Sequence, residues 1–185
     1  MIVGVYNPPT LVTMTGLVCG LSACMLAFTG RPELAVVALI WAGIFDLFDG
    51  LVARRTRMTE QEASFGIQID SIVDMVSFGI APVVVAMSLG MTNVFGVIAA
   101  GLYVCAAAQR LAYFNVLQQE AGGGLKTYTG LPVTFSALIF GTLFALRDVL
   151  SEDVFAIFLP ALFAIVSFLY VYPAKIPKPG GAVYT

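Results

Sequence analysis

Histidine is absent from the chain, and charge of either sign is scarce. Only 11% of the residues are Asp, Glu, Lys or Arg, against 59% hydrophobic. A soluble domain carries roughly twice that charged fraction, so lipid must be the solvent for much of this chain. Without histidine the usual proton carrier at neutral pH is missing, and a general base must be a carboxylate, a lysine or a tyrosine. Cys19, Cys24 and Cys105 are odd in number, sit in apolar runs and match no zinc spacing. They read as small buried hydrophobes, which argues against a structural disulfide. No basic tract is present, so nucleic acid is not an expected partner. The opening residues, from Met1 to Pro9, lack the basic start of a cleavable signal peptide.

Long apolar runs are what the chain has instead, with a mean hydropathy of +0.95. A bilayer crossing needs about 20 mainly apolar residues, and stretches near 9–29, 34–54, 66–89, 92–117, 131–147 and 153–172 qualify. Turn chemistry separates them at Gly30-Arg31-Pro32, Gly90 to Asn93, Gly122 to Gly124 and Arg147-Asp148. The connections are short. The pattern predicts an all-α integral membrane protein, a six-transmembrane-helix bundle, with residues 1–185 forming one domain. Pro82 falls mid-span and predicts a kink. Gly122–Gly124 reads as a flexible loop, and the tail from Lys175 as a disordered end.

Arg54, Arg55, Arg57, Arg110, Lys126, Lys175 and Lys178 fall at one end of this layout, and only Arg31 and Arg147 at the other. The positive-inside rule then places both termini and the basic loops in the cytoplasm, in a cell (inner) membrane.

Acidic residues inside spans are costly and mark functional sites. Asp46 and Asp49, three apart, share one face of the second helix, with Gly50, Ala53 and Arg54 continuing it. Asp70 and Asp74, four apart, share a face of the third, with Gly66 a turn earlier. All four lie toward the basic end, so two antiparallel helices would bring them level. Four carboxylates in a partly dry cavity cannot all stay ionised without cations, because like charge and desolvation both oppose it. Protonation is one resolution and hard divalent metal the other; with oxygen ligands alone, Mg²⁺ or Mn²⁺ is the expected ion. Two ions could clamp a phosphoryl transfer. Ion coupling in a transporter is the competing reading, which the flanking small residues and arginine disfavour.

The array Asp46-x2-Asp49-Gly50-x2-Ala53-Arg54 … Gly66-x3-Asp70-x3-Asp74 resembles the signature of the CDP-alcohol phosphotransferases. The stretch from Arg55 to Phe65, eleven residues, is longer than the family usually has. Those extra residues are expected in a loop between helices. The resemblance implies that Asp46, Asp49, Asp70 and Asp74 face the metal, with Asp74 also the general base toward the incoming hydroxyl. It implies that Arg54 holds the diphosphate and that Gly50, Ala53 and Gly66 line the nucleotide site. The family's opening Pro-Asn-x2-Thr is only partly kept in Pro9-Thr10-Leu-Val-Thr13, which makes Thr13 a weaker nucleotide candidate.

Further segments resemble the phosphatidylserine synthase branch: Ser77-Phe-Gly-Ile-Ala-Pro82, Gln109-Arg110-Leu-Ala-Tyr-Phe-Asn115 and Tyr128-Thr-Gly-Leu-Pro132. Tyr113 departs from the arginine usual there. The branch implies CDP-diacylglycerol and L-serine as substrates and a homodimer as the assembly. Ser77, Arg110, Asn115 and Lys126 are the candidate contacts for the acceptor. Plainer roles compete for three of them: a carbonyl partner for Ser77, an interfacial anchor for Arg110, a helix cap for Asn115.

Overall fold

A computed structural model describes residues 3–120 and 127–177. Lys126, the Gly122–Gly124 loop and the tail from Lys178 onward lie outside the described residues. The elements run α1 (Pro8–Phe28), α2 (Pro32–Arg55), α3 (Glu60–Asp74), a π-helical turn (Met75–Ile80) and α4 (Ala81–Ser88). Then follow α5 (Val94–Glu120), β1 (Thr127–Thr129), α6 (Phe135–Ala145), a 3₁₀ turn (Arg147–Val149), α7 (Glu152–Val171) and β2 (Lys175–Pro177).

Among the described residues, five helical stretches are long and apolar enough to cross a bilayer: Pro8–Phe28, Pro32–Arg55, Glu60–Ser88, Val94–Glu120 and Val154–Val171. The chain is a membrane protein. Large apolar side chains such as Val18, Met25, Trp41, Leu102, Ile157 and Phe168 point outward, as a lipid-facing exterior requires. Cys105 is on that exterior and Cys19 and Cys24 are half-buried, so none of the three is fully enclosed.

The expected span at 131–147 is shorter than read. Pro132 closes a turn, its carbonyl accepting the Phe135 amide at 3.1 Å, so α6 starts at Phe135. Its eleven residues rise about 16 Å, well short of a hydrocarbon core of about 30 Å. The tail expected to be disordered from Lys175 instead pairs at its start: β2 lies antiparallel to β1, with Tyr128 opposite Ile176.

The α3 start also differs from expectation. Thr59 caps it, accepting the Glu62 amide at 3.3 Å, while the Glu62 carboxylate accepts the Thr59 amide at 2.8 Å. This capping box draws Glu60–Phe65 into helix and leaves only 56–59 as a link. The extra residues therefore lengthen α3 rather than a loop. At the other end of α1, Gly30 adopts a left-handed φ of 75° and Arg31 donates its amide to the Leu26 carbonyl at 2.9 Å, a glycine-terminated helix end that turns the chain into α2.

Small residues set the packing, as in other membrane bundles. Gly16, Gly20, Ala23 and Ala27 line the buried face of α1. A side chain at Gly20 would meet the Ser77 Cα at 2.9 Å, and one at Gly43 would meet the Ala137 Cβ at 2.9 Å. Helices α2 and α3 both pack on α1, and much less on one another. α6 packs on α2, and α5 pairs with α7 around an aromatic centre. In that centre Tyr103 sets its ring edge against Phe140 and Phe163, whose rings stack 4.2 Å apart.

Candidate active site

Because α2 and α3 rest on α1 and meet each other chiefly through side chains, a narrow crevice lies between them. Its wall holds Asp46 and Asp49 from α2, Asp70, Val73 and Asp74 from α3, and Ser77 and Phe78 from the π turn; Thr13 and Gly16 of α1 form its floor. One carboxylate oxygen from each of Asp46, Asp49 and Asp70 lies within 4.8 Å of the others. Asp74 sits one turn deeper, 7% exposed, in carboxyl-to-carboxyl contact with Asp46. It does not belong to the close trio.

Thr13 is an orienting residue here. Its hydroxyl reaches the Asp49 carboxylate at 2.8 Å and the Pro9 carbonyl at 3.1 Å, two acceptors for a single proton. The Gly50 amide also bonds Asp49. Asn7 caps α1, its Oδ1 accepting the Thr10 amide at 3.1 Å and the Thr10 hydroxyl at 2.8 Å, and its side chain also bonds Glu62 of α3. It thereby ties the starts of two helices that carry the site. Sequence reasoning passed over Asn7, although an asparagine just before Pro8-Pro9 is a strong helix-start signal.

The remaining candidates divide. Nothing lies within 4 Å of where a side chain at Gly50 or Gly66 would begin, so both leave open space beside the backbone. Ala53 is half-buried and Arg54 exposed at the end of α2. Ser77 is fully enclosed, lining the crevice with its hydroxyl 3.5 Å from the Gly16 carbonyl. Asn115 is interior to α5 and caps nothing; its Oδ1 accepts the Ser71 hydroxyl at 2.9 Å, linking α5 to the residue beside Asp70. Arg110 is buried, its Nε donating to the Leu131 carbonyl at 3.1 Å and its guanidinium 4.7 Å over the Phe114 ring. It is not part of the crevice wall.

The donor set fits a hard divalent cation. Three carboxylates from two helices converge with oxygen donors alone, and a Thr hydroxyl fixes one of them from behind, the arrangement that holds a metal ligand in orientation. Fold and site together define a multi-spanning membrane protein with a carboxylate centre beside an open, glycine-lined helix face.

The family model for CDP-alcohol phosphatidyltransferase matches residues 6–171. The chain belongs to the CDP-alcohol phosphatidyltransferase family, whose chemistry depends on metal. Among curated proteins it is 32% identical over 137 residues to the archaetidylserine synthase of Methanothermobacter thermautotrophicus, covering 74% of this chain and 57% of that one. It is 32% identical over 141 residues to the CDP-diacylglycerol–serine O-phosphatidyltransferase of Saccharomyces cerevisiae, covering 71% and 50%. The enzyme of the same name from Bacillus subtilis is 29% identical over 132 residues, covering 70% and 71%. The chain thus spans between half and seven-tenths of the length of these relatives.

Proposed function

We propose that this protein transfers the phosphatidyl group of CDP-diacylglycerol to L-serine, giving phosphatidylserine and CMP. The observation that carries the reading is the convergence of Asp46, Asp49 and Asp70 beside Gly50 and Gly66, where the backbone leaves room for a nucleotide. The names of the relatives, serine transferases acting on CDP-lipids or a synthase of archaetidylserine, support the acceptor.

Asp46, Asp49 and Asp70 would hold the cation, Mg²⁺ or Mn²⁺ and in the full complement two ions, with Asp74 facing the same centre. Divalent metal held there would withdraw charge from the diphosphate and offset the crowded carboxylates. Arg54, exposed where α2 ends, pairs with the diphosphate as the CDP head enters. Gly50, Ala53 and Gly66 accept the cytidine, while Thr13 keeps Asp49 in orientation. Asp74 takes the proton of the serine hydroxyl as its oxygen bonds to the β-phosphorus; the bond from that phosphorus to the oxygen of CMP breaks, and CMP leaves. Alignment in the crevice supplies much of the rate.

Among the described residues, no basic side chain lines the crevice wall. That favours serine over an acceptor carrying its own phosphate, such as glycerol 3-phosphate or inositol phosphate. Ser77, at the inner end of the crevice, contacts the acceptor; Arg110, Asn115 and Lys126 are the more remote candidates for its carboxylate. The protein sits in the cell (inner) membrane as a six-span unit of one domain, α6 with its flanking turns making the sixth crossing. Both termini and the site face the cytoplasm, and the assembly is a homodimer.

The experiment is CMP release by the purified protein from CDP-diacylglycerol with a panel of alcohols, with and without divalent metal. Serine-dependent, metal-dependent release is expected. Release with glycerol 3-phosphate and none with serine would reassign the acceptor, and no release with any alcohol would overturn the reading. Full serine-dependent release by Asp74→Asn would overturn the base assignment.

A further inference from the structure

The helix carrying Asp70 and Asp74 is interrupted immediately after Asp74, and Pro82 accounts for the interruption. In an α-helix the Phe78 carbonyl would accept the amide of residue 82. Proline has no such amide, and its ring presses on that carbonyl. The backbone widens instead into the π turn Met75–Ile80, with the Ala81 amide reaching back five residues to the Val76 carbonyl. The kink expected at Pro82 is thus taken up as an extra residue within one helical turn. π turns of this kind cluster at functional sites.

Two hydroxyls from other helices meet the Phe78 carbonyl. Tyr103 of α5 donates to it, and Ser136 of α6 donates to it at 3.2 Å. The Tyr103 hydroxyl also lies 3.1 Å from that of Tyr170 on α7, which reaches the Val133 carbonyl at 3.3 Å. Phe78, Tyr103, Ser136 and Tyr170 are each at most 2% exposed, so water does not serve this carbonyl from outside.

We propose that Tyr103 and Ser136 are positioning residues for the transfer reaction: they supply the hydrogen bonds that Pro82 withholds, and so hold the wide turn that aims Asp74 and Ser77 into the crevice. The inference rests on the function proposed above. An added residue rotates everything before it by about 100° relative to everything after it. With α4 seated on α1, loss of the wide turn would swing Asp74 away from Asp46. Asp70, a turn further from the π segment, is held also through the Ser71–Asn115 hydrogen bond.

The test uses Tyr103→Phe, Ser136→Ala and the double variant of the full chain, purified in detergent beside wild type. Amide hydrogen exchange over 75–81, the Mn²⁺ midpoint, and kcat and KM for serine-dependent CMP release are read together. The double variant is expected to exchange faster over 75–81 alone, to keep the wild-type Mn²⁺ midpoint, and to lose about tenfold or more in kcat with KM for CDP-diacylglycerol unchanged, the effect of a small misplacement of a reacting group. Unchanged exchange, or faster exchange with kcat within about twofold of wild type, overturns the inference. So does a kcat loss accompanied by a weaker Mn²⁺ midpoint and faster exchange in every helix, the pattern of general loosening. Absence of CMP release from wild type overturns the proposed function itself, whereas an active wild type with an equally active double variant overturns only the positioning role.

Discussion

Two polar clusters border the π turn, one fully buried and one half-open, and they are built on opposite rules. Around Phe78, the hydroxyls of Tyr103, Ser136 and Tyr170 meet the carbonyls of Phe78 and Val133, and donors match acceptors within the chain. In the crevice, acceptors crowd together: Asp46, Asp49 and Asp70 within 4.8 Å, with Asp74 behind, and Asp49 drawing on Thr13 and Gly50. A matched network stabilises a fold by itself. A cluster of like-charged acceptors costs stability until something from outside neutralises it. The first cluster therefore reads as structure and the second as a place for a ligand, although both are polar and border the same turn.

The sharpest way to break this comparison is to alter one member of each. Asp70→Asn removes a charge from the crowded side. We expect serine-dependent CMP release to fall by about a thousandfold, the scale of several kcal/mol of lost charge stabilisation. The metal-free protein should melt no lower than wild type, because the substitution relieves repulsion. A metal-free variant that unfolds at room temperature would show that Asp70 is structural.

Thr13→Val tests the support behind the carboxylates and should act less. Loss of an orienting hydrogen bond typically costs 10–100-fold in metal affinity, and an Mn²⁺ titration is expected to show about tenfold weakening. An unmoved midpoint would leave Thr13 bonded to Asp49 with no consequence for binding.

Gly66→Ala and Gly50→Ala set folding and function in opposition. Each adds a methyl group to open space in a helix, which should stabilise the metal-free fold by about 0.5–1 kcal/mol. Yet KM for CDP-diacylglycerol should rise several-fold, since the methyl occupies the nucleotide's approach. If both quantities stay at wild-type values, the open faces are merely lipid-facing. The smallest effect is expected from Thr59→Ala, which removes the α3 cap. A fall in the melting midpoint of about 3 °C, with metal and substrate constants unmoved, would confine the capping box to structure.

The apolar runs and the spacing of the four aspartates were legible in the sequence because periodicity and charge density are local. The start of α3 carries a local signal of its own, Thr59 and Glu62 at capping-box spacing, but the apolar run that sets the expected boundary begins only at residue 66. The partnership of α1 was not legible. Nothing local says that α2 and α3 separate to flank α1, or that Thr13 reaches Asp49 across 36 positions. Pro82 announced a disturbed helix, but whether the chain kinks or widens depends on which hydroxyls stand opposite Phe78, and Tyr103 and Ser136 arrive from helices far along the chain. In the sequence Arg110 shows only its place near a basic end, where an anchor and an acceptor contact look alike. Its Leu131 and Phe114 partners become visible only in three dimensions.

Convergence of Asp46, Asp49 and Asp70 implies a divalent-cation centre. Mn²⁺ binding to the purified protein, followed by electron paramagnetic resonance in wild type and in Asp70→Asn, addresses it most directly. Saturable binding by wild type, displaced by Mg²⁺ and weakened at least tenfold in Asp70→Asn, is the expected result. Equal binding by the two proteins, or none by wild type, would contradict the account.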